Sequence, residues 1–195
     1  MTDTPSTSSH LAVLLEPVLE ALLPAERIID GTLGAGGHSG ALLAKGANEV
    51  LGLDADKSAL RLAQANLEEW GDRVHFEHTS YKDMREVARR IGWEQVDGIL
   101  LDLGVSSMQL DQPERGFAFR FDGPLDMRFD ADGLLPTAAE IINTWDEDEL
   151  ADIFFQYGEE RRSRQLETLI AQRNRLEQAN EQLRAEIARD RKSVV

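Results

Sequence analysis

A glycine-rich turn is the first segment whose residue types could do chemistry. Gly34 and Gly36 lie in the run Asp30-Gly31-Thr32-Leu33-Gly34-Ala35-Gly36-Gly37-His38, directly after a short apolar segment. Glycines allow the backbone to turn tightly and approach a ligand, and the N-terminus of the following helix favours an anionic group. That group would be the pyrophosphate of a dinucleotide or the carboxylate of a methionine moiety. Plain packing of the turn is the alternative.

A carboxylate follows at a spacing typical of nucleoside recognition. Asp54 comes 20 positions after Gly34, at the end of a second apolar run. There it could accept hydrogen bonds from both hydroxyls of a ribose. The alternative is that Asp54 caps the helix that begins near Lys57. Together, the turn and the carboxylate predict a ligand that contains a nucleoside.

Two acidic residues favour S-adenosylmethionine over NAD as that ligand. Asp30 opens the turn, as in the methyltransferase pattern of an acidic residue followed by spaced glycines, although Thr32 stands where the first glycine is expected. Asp102 ends a fourth apolar run, at the edge where doubly wound folds place their reaction centre. An NAD-binding enzyme remains as a minor alternative.

These residues need a fold that brings strand ends together, and the hydrophobic pattern predicts one. Apolar runs alternate with segments of helical periodicity: strands are expected at 27–30, 49–53, 74–78 and 96–102, and helices at 11–23, 39–45, 57–70 and 81–91. This alternation predicts an α/β fold over residues 11–110, a Rossmann-like doubly wound parallel sheet and a partial methyltransferase fold. Four strands would leave one sheet edge unpaired.

Three further segments flank or follow that domain. Residues 1–10 are polar and are expected to form a disordered arm. Residues 111–160 should contain the end of a long loop, 103–135, and the start of a helical insertion. Loops of this length are more often functional than structural. Helical spacing returns over 136–157, where Thr137 and Glu140 match a capping box.

The tail, residues 161–195, has a heptad pattern. The a and d positions hold leucine or isoleucine except at two a positions, which are occupied by the polar residues Arg173 and Asn180. The apolar members are Leu166, Leu169, Leu176, Leu183 and Ile187. This pattern predicts a helix that either forms a short coiled coil, and so a homodimer, or stays single because three heptads are marginal.

Composition limits the chemistry and the partners. The chain contains no cysteine, which excludes disulfides, thiolate zinc sites and a cysteine nucleophile, and we expect no metal site. No run reaches the roughly 20 apolar residues of a membrane-spanning helix, so a cytoplasmic protein without a membrane partner is expected.

Residues 1–160 have a net charge of −19, whereas the tail has +4. The acidic body should repel a phosphate backbone unless basic groups are focused locally.

Several longer motifs, in order, resemble the ribosomal RNA small-subunit cytosine-N4 methyltransferase H family. They are Asp30-Gly31-Thr32, Gly34-Ala35-Gly36-Gly37-His38-Ser39, Leu100-Leu101-Asp102-Leu103-Gly104-Val105-Ser106-Ser107, Gln109-Leu110-Asp111, Glu114-Arg115-Gly116-Phe117, Asp122-Gly123-Pro124-Leu125-Asp126-Met127-Arg128 and Tyr157-Gly158-Glu159-Glu160. The resemblance covers roughly residues 10 to 162. It implies methylation of a cytosine amino group in small-subunit ribosomal RNA with S-adenosylmethionine as the methyl donor.

The resemblance also implies which residues form the site. The cofactor contacts would be Gly36, Gly37, His38, Asp54, Tyr81, Asp102 and Gln109. Taken singly, His38 could instead cap its helix at the surface, Tyr81 could stack on adenine or cover the sheet edge, and Gln109 could bind the cofactor or hold the loop.

The catalytic residue would be Asp102, through hydrogen bonding to the cytosine amino group. The usual signature of amino methyltransferases, an acidic or polar residue followed by two prolines and an aromatic residue, is replaced here by Asp102-Leu103-Gly104-Val105. Family members also continue well past this length. The alternative is therefore a truncated, non-catalytic remnant that acts as a coiled-coil interaction protein.

Overall fold

A parallel sheet of four strands organises the first half of the chain. The computed structural model describes residues 12–193. The strands are β1 (Arg27–Asp30), β2 (Glu49–Asp54), β3 (Val74–His78) and β4 (Gly98–Leu100). They pair in the order β3-β2-β1-β4, and every pair is parallel. The strand order reverses between β1 and β4, and in open α/β sheets such a reversal marks the ligand crevice.

Helices cover both faces of this sheet. They are α1 (Leu15–Leu22), α2 (Gly37–Ala44), α3 (Lys57–Asn66) and α4 (Met84–Arg90), with 3₁₀ turns at Glu68–Arg73 and Tyr81–Asp83. One core joins Ile28 and Val50 to side chains of α1, α2 and α3. A second core joins Ile29 and Leu51 to α4. Neighbouring strand residues point to opposite faces, so the apolar runs feed both cores and the α/β prediction is confirmed.

The last strand is shorter than its apolar run suggests. The pattern predicts a strand at 96–102, whereas β4 contains only Gly98–Leu100. Within this sheet β4 pairs with β1 alone. Ile99 aligns with Ile29 but remains 47% exposed, as expected of an edge strand. An apolar run therefore indicates a strand without revealing how many neighbours it has.

Contacts divide the chain into two units. The first contains the described residues up to Gln112 together with Phe129–Gly133, including a short helix, α5 (Ser107–Asp111). The second contains Pro113–Arg128 and the described residues from Leu134 onward. The arm expected at residues 1–10 lies outside the described residues.

The second unit is helical after its loop. Its helices are α6 (Ala138–Thr144), α7 (Glu147–Gln156) and α8 (Ser163–Ser193). The single helical segment expected at 136–157 is two helices, and Asp146 is the N-cap of the second. The capping box of Thr137 and Glu140 is present at the start of α6.

The tail forms the long helix α8, which packs along α7. Exposed ion pairs join Arg164 to Asp148 at 2.9 Å and Arg175 to Glu147 at 3.0 Å. The helical part of the tail prediction is confirmed, and the coiled coil stays a prediction. Among residues 12–193, no helix combines the length and apolar character needed to cross a membrane.

Candidate functional site

The acid that opens the glycine turn is a structural anchor. Asp30 is 1% exposed, and its two carboxylate oxygens accept hydrogen bonds from Ser39 Oγ at 2.7 Å and from the Thr32 N–H at 3.2 Å. Burial raises the pKa of this carboxyl above its ordinary value. Asp30 thus joins the end of β1 to the turn and to the first turn of α2.

Gly34 and Gly36 have different reasons to be glycine. Both have positive φ, +55° and +83°. A Cβ on Gly36 would lie 2.7 Å from Leu67 Cδ1, so this glycine allows α3 to pack against the turn. In the part of the chain that the structure describes, a Cβ on Gly34 would meet only the Thr32 carbonyl oxygen, at 3.9 Å. Packing therefore explains Gly36, whereas Gly34 leaves an open backbone that a ligand can approach.

The start of α2 offers free hydrogen-bond donors. Among the described residues, the backbone N–H groups of Gly37 and His38 have no acceptor. Gly37 is exposed, and a Cβ there would lie 3.6 Å from Ala12 Cβ, an ordinary van der Waals contact. Free amides and the positive end of the helix dipole make this position suited to a carboxylate.

Asp54 connects the turn to the end of β2. Its Oδ2 accepts a hydrogen bond from the Gly34 N–H at 2.8 Å, and its Oδ1 accepts one from the Asp56 N–H at 2.7 Å. Burial raises the pKa of Asp54 as well. The N-cap of α3 is Asp56, which bonds the Ser58 N–H, so the capping alternative for Asp54 was wrong. Each carboxylate oxygen retains a lone pair that a ribose hydroxyl could use.

Gln109 holds the loop after β4. It is 5% exposed, its Oε1 accepts from the Ser106 N–H at 3.0 Å, and its Nε2 donates to Asp56 Oδ2 at 3.0 Å. Of the two roles considered for Gln109, this geometry supports loop positioning. The Ser106-x-x-Gln109 capping box was readable in the sequence but was missed, and its long-range partner Asp56 left no sequence signal.

Tyr81, Asp102 and His38 lie around the same turn. A Cβ on Gly31 would lie 2.9 Å from Tyr81 Cβ, so Tyr81 sits against the start of the turn. Asp102 is exposed, and its backbone N–H donates to Thr32 Oγ1 at 2.7 Å. Thr32, which replaces the expected glycine, therefore positions the backbone of the candidate catalytic residue. His38 Nε2 lies 2.8 Å from the carbonyl oxygen of Val13 and contacts the N-terminal segment.

The fold collects these residues at one edge of the sheet. Gly34 bonds Asp54, and Thr32 bonds Asp102, so the glycine turn is tied directly to the ends of β2 and β4. Gln109 reaches the same edge through Asp56. Within residues 12–193, no three or more His, Cys, Asp or Glu side chains group in a way that could hold a metal ion. The arrangement offers amides for an anion, a carboxylate for hydroxyls and an exposed carboxylate beside them.

Comparisons with known proteins show what this chain is similar to. The sequence is similar to two proteins named ribosomal RNA small subunit methyltransferase H. It is 49% identical to the one from Nitratidesulfovibrio vulgaris over 77% of this chain and 43% of that protein. It is 45% identical to the one from Gloeobacter violaceus over 88% of this chain and 54% of that protein. The chain spans about half the length of these relatives.

A solved structure is similar over part of the chain. An rRNA methylase from Streptococcus thermophilus superposes on 38% of this chain and 45% of its own, with 20% sequence identity and a TM-score of 0.34. The family model described as the MraW methylase family matches residues 7–190, nearly the whole chain. The chain belongs to the MraW methylase family.

Proposed function

We propose that this chain binds S-adenosylmethionine at the carboxyl edge of its sheet. The observation that carries the proposal is the 2.8 Å hydrogen bond between the Gly34 N–H and Asp54, which places an open glycine backbone beside a ribose-binding carboxylate. The free N–H groups of Gly37 and His38 fit the methionine carboxylate. Asp54 fits the ribose hydroxyls. Tyr81, which lies beside the start of the turn, would cover the adenine.

We further propose that the chain is the cofactor-binding part of an enzyme that methylates the N4 amino group of a cytosine in small-subunit ribosomal RNA, in the cytoplasm. Bound S-adenosylmethionine would supply an electrophilic methyl group on its sulfonium. Asp102 would accept a hydrogen bond from the cytosine amino group and so turn the nitrogen lone pair toward the methyl carbon. Family membership and the names of the relatives support this assignment.

Calorimetric titration with S-adenosylmethionine tests the binding step. Asp54→Asn keeps the size of the side chain and removes its charge, so we expect affinity to fall by about tenfold or more because hydroxyl bonds to a charged acceptor are the strong ones. Asp72→Asn is the matched control, because Asp72 is an exposed aspartate in the 3₁₀ turn before β3. A folded sample that binds no S-adenosylmethionine would refute the proposal.

Methyl transfer to small ribosomal subunits tests the catalytic assignment. Because Asp102 faces solvent and its anchoring contact is made by its backbone N–H, Asp102→Asn should leave the fold intact. We expect this variant to keep S-adenosylmethionine affinity within about threefold and to lose at least about a hundredfold in rate. Wild-type affinity with wild-type transfer would remove Asp102 from catalysis.

A second candidate function is self-association through the tail. The residues of α8 that face its own unit include Ser163 and Glu167, which are buried, whereas Leu169 and Leu176 are 62% and 66% exposed. These leucines occupy d positions of the heptad, and such positions form the interface of a coiled coil. Light scattering should show a dimer that Leu169→Glu with Leu176→Glu converts to a monomer. A wild-type monomer at high concentration would exclude this function.

A further inference from the structure

The segment between α5 and α6 contains a short loop that closes on itself. A Cβ on Gly123 would strike the carbonyl oxygen of Pro113, and a Cβ on Gly116 would strike the carbonyl oxygen of Pro124. Backbone approaches this close require glycine, because any larger residue would clash. Residues 116–123 therefore form a loop whose two ends are held together at a neck of packed backbone.

A buried arginine fixes this neck. Arg115 is 6% exposed, and its guanidinium donates to the Arg128 carbonyl oxygen at 3.0 Å. Its own carbonyl oxygen accepts from the Met127 N–H at 3.0 Å. The Asp126 carbonyl oxygen accepts at 2.8 Å from the N–H of Ala138, the first residue of α6. These bonds hold the loop in one conformation without a ligand, which lowers the entropic cost of binding one.

The tip of this loop, residues 117–121, presents aromatic rings to solvent. The side chain of Phe119 is fully exposed, and Phe121 is 40% exposed. The guanidinium carbon of Arg120 lies 4.9 Å from the centre of the Phe121 ring, within the range of a cation–π contact. A phenyl ring left in water loses the hydrophobic free energy that its burial would contribute. Stability of the fold therefore does not explain a phenylalanine at position 119.

Charge favours RNA over a protein as the ligand of this tip. Residues 115–121 contain two arginines and no acidic side chain, whereas residues 1–160 have a net charge of −19. A polyanion therefore meets less repulsion at the tip than over the rest of the chain. Exposed aromatic rings beside an arginine are also the combination on which unpaired bases stack in proteins that bind single strands.

We propose that the tip stacks an unpaired base of RNA on the ring of Phe119, with Arg120 against a neighbouring phosphate. The choice of RNA rests on the proposed function above. Every base has a flat face, so this contact positions a single-stranded segment without selecting its sequence. Such a contact suits an enzyme that modifies a base, because the base must leave its stack to be reached.

Fluorescence anisotropy of a labelled oligocytidine, titrated with the full chain, tests the proposal. Phe119→Leu keeps an apolar side chain but removes the flat ring, and it should weaken binding by about tenfold. Phe155→Leu is the matched control, because Phe155 is an exposed phenylalanine of α7, and it should stay within about twofold of wild type. Arg120→Gln should reduce the salt slope by about 0.7, the value for one phosphate contact on a single strand.

Four results would overturn the proposal. Equal affinity of Phe119→Leu and wild type would remove the stacking contact, and equal affinity for the same oligonucleotide paired with its complement would mean attraction to phosphates alone. No binding by the wild-type chain would exclude RNA. A change of oligomeric state in Phe119→Leu, measured by light scattering, would mean that this ring contacts a protein instead.

Titration of the same wild-type sample with S-adenosylmethionine separates this proposal from the proposed function. A chain that binds S-adenosylmethionine but not the oligocytidine would overturn the stacking site alone. A chain that binds the oligocytidine in a manner that depends on Phe119, but not S-adenosylmethionine, would keep the stacking site and refute the cofactor site.

Discussion

The side-chain amide of Gln109 donates a hydrogen bond of 3.0 Å to the carboxylate of Asp56, which lies 53 residues earlier in the chain. Asp56 is the N-cap of α3, and Gln109 belongs to the capping box of α5. One buried contact therefore joins the loop after β4 to the loop after β2. The two loops border the candidate cofactor site, so this contact determines how its two sides are held together.

Removing the side-chain amide of Gln109 should lower the stability of the fold. We expect Gln109→Ala to lower the free energy of unfolding by about 2 kcal/mol, because the buried Asp56 carboxylate loses a donor. Urea denaturation measures this value. The control Gln64→Ala changes an exposed residue of α3 and should stay within about 0.5 kcal/mol of wild type. Equal unfolding curves for both variants would show that the bridge adds nothing to stability.

Gly36→Ala should lower the free energy of unfolding more than the same substitution at a glycine with the same φ. Gly36 and Gly92 both have a φ of +83°. A Cβ on Gly92 would meet no atom of residues 12–193 within 4 Å, whereas one on Gly36 would strike Leu67. Gly92→Ala should cost about 1 kcal/mol from backbone strain. Gly36→Ala should cost about 1–3 kcal/mol more from the added contact. Equal costs, measured by urea denaturation, would mean that α3 shifts freely away from the turn.

The buried carboxyl of Asp30 should make stability depend on pH. Burial raises its pKa above the ordinary 3.8, so between 3.8 and the raised pKa the folded chain holds a proton that the unfolded chain has lost. The free energy of unfolding should therefore fall as pH rises through this window, by up to about 1.4 kcal/mol per pH unit. Asp30→Asn removes this dependence.

Chemical denaturation at several pH values checks that expectation. The relevant quantity is the difference in slope between wild type and Asp30→Asn, because Asp54 also has a raised pKa and titrates in both proteins. The free energy of unfolding of Asp30→Asn should fall less steeply with rising pH than that of wild type. Parallel curves would mean that Asp30 is ionised in the folded chain throughout this pH range.

The capping box of α6 should contribute measurably to the second unit. Thr137 Oγ1 accepts from the Glu140 N–H at 3.1 Å, and Thr137→Ala should cost about 1 kcal/mol. Thr168→Ala is the same substitution at an exposed position inside α8, where the hydroxyl bonds the Arg164 carbonyl oxygen, and it should be nearly neutral. Hydrogen exchange of the α6 amides measures the difference. Unchanged exchange in Thr137→Ala would indicate that packing alone holds this helix.

Local patterns were sufficient for most of the elements. The bounds of β1 and β3 match their apolar runs, and the capping box of α6 was visible as Thr137 and Glu140. Such features depend on neighbours close in sequence, which is why periodicity and residue type predict them. The two α-helices at 138–156 were merged in the prediction because Trp145 and Asp146 interrupt the helix without glycine or proline.

The sequence by itself determined the alternation of strands and helices, the position of the glycine turn and the spacing of Asp54 from Gly34, because these are properties of short segments. Only the tertiary structure decided the functions of individual side chains. It showed that Asp56 is the N-cap of α3 and that Gln109 donates to Asp56. It also showed that the Thr32 hydroxyl accepts a hydrogen bond from the Asp102 N–H. Those contacts join residues far apart in the chain, and their geometry depends on the packing of the whole sheet rather than on any local pattern.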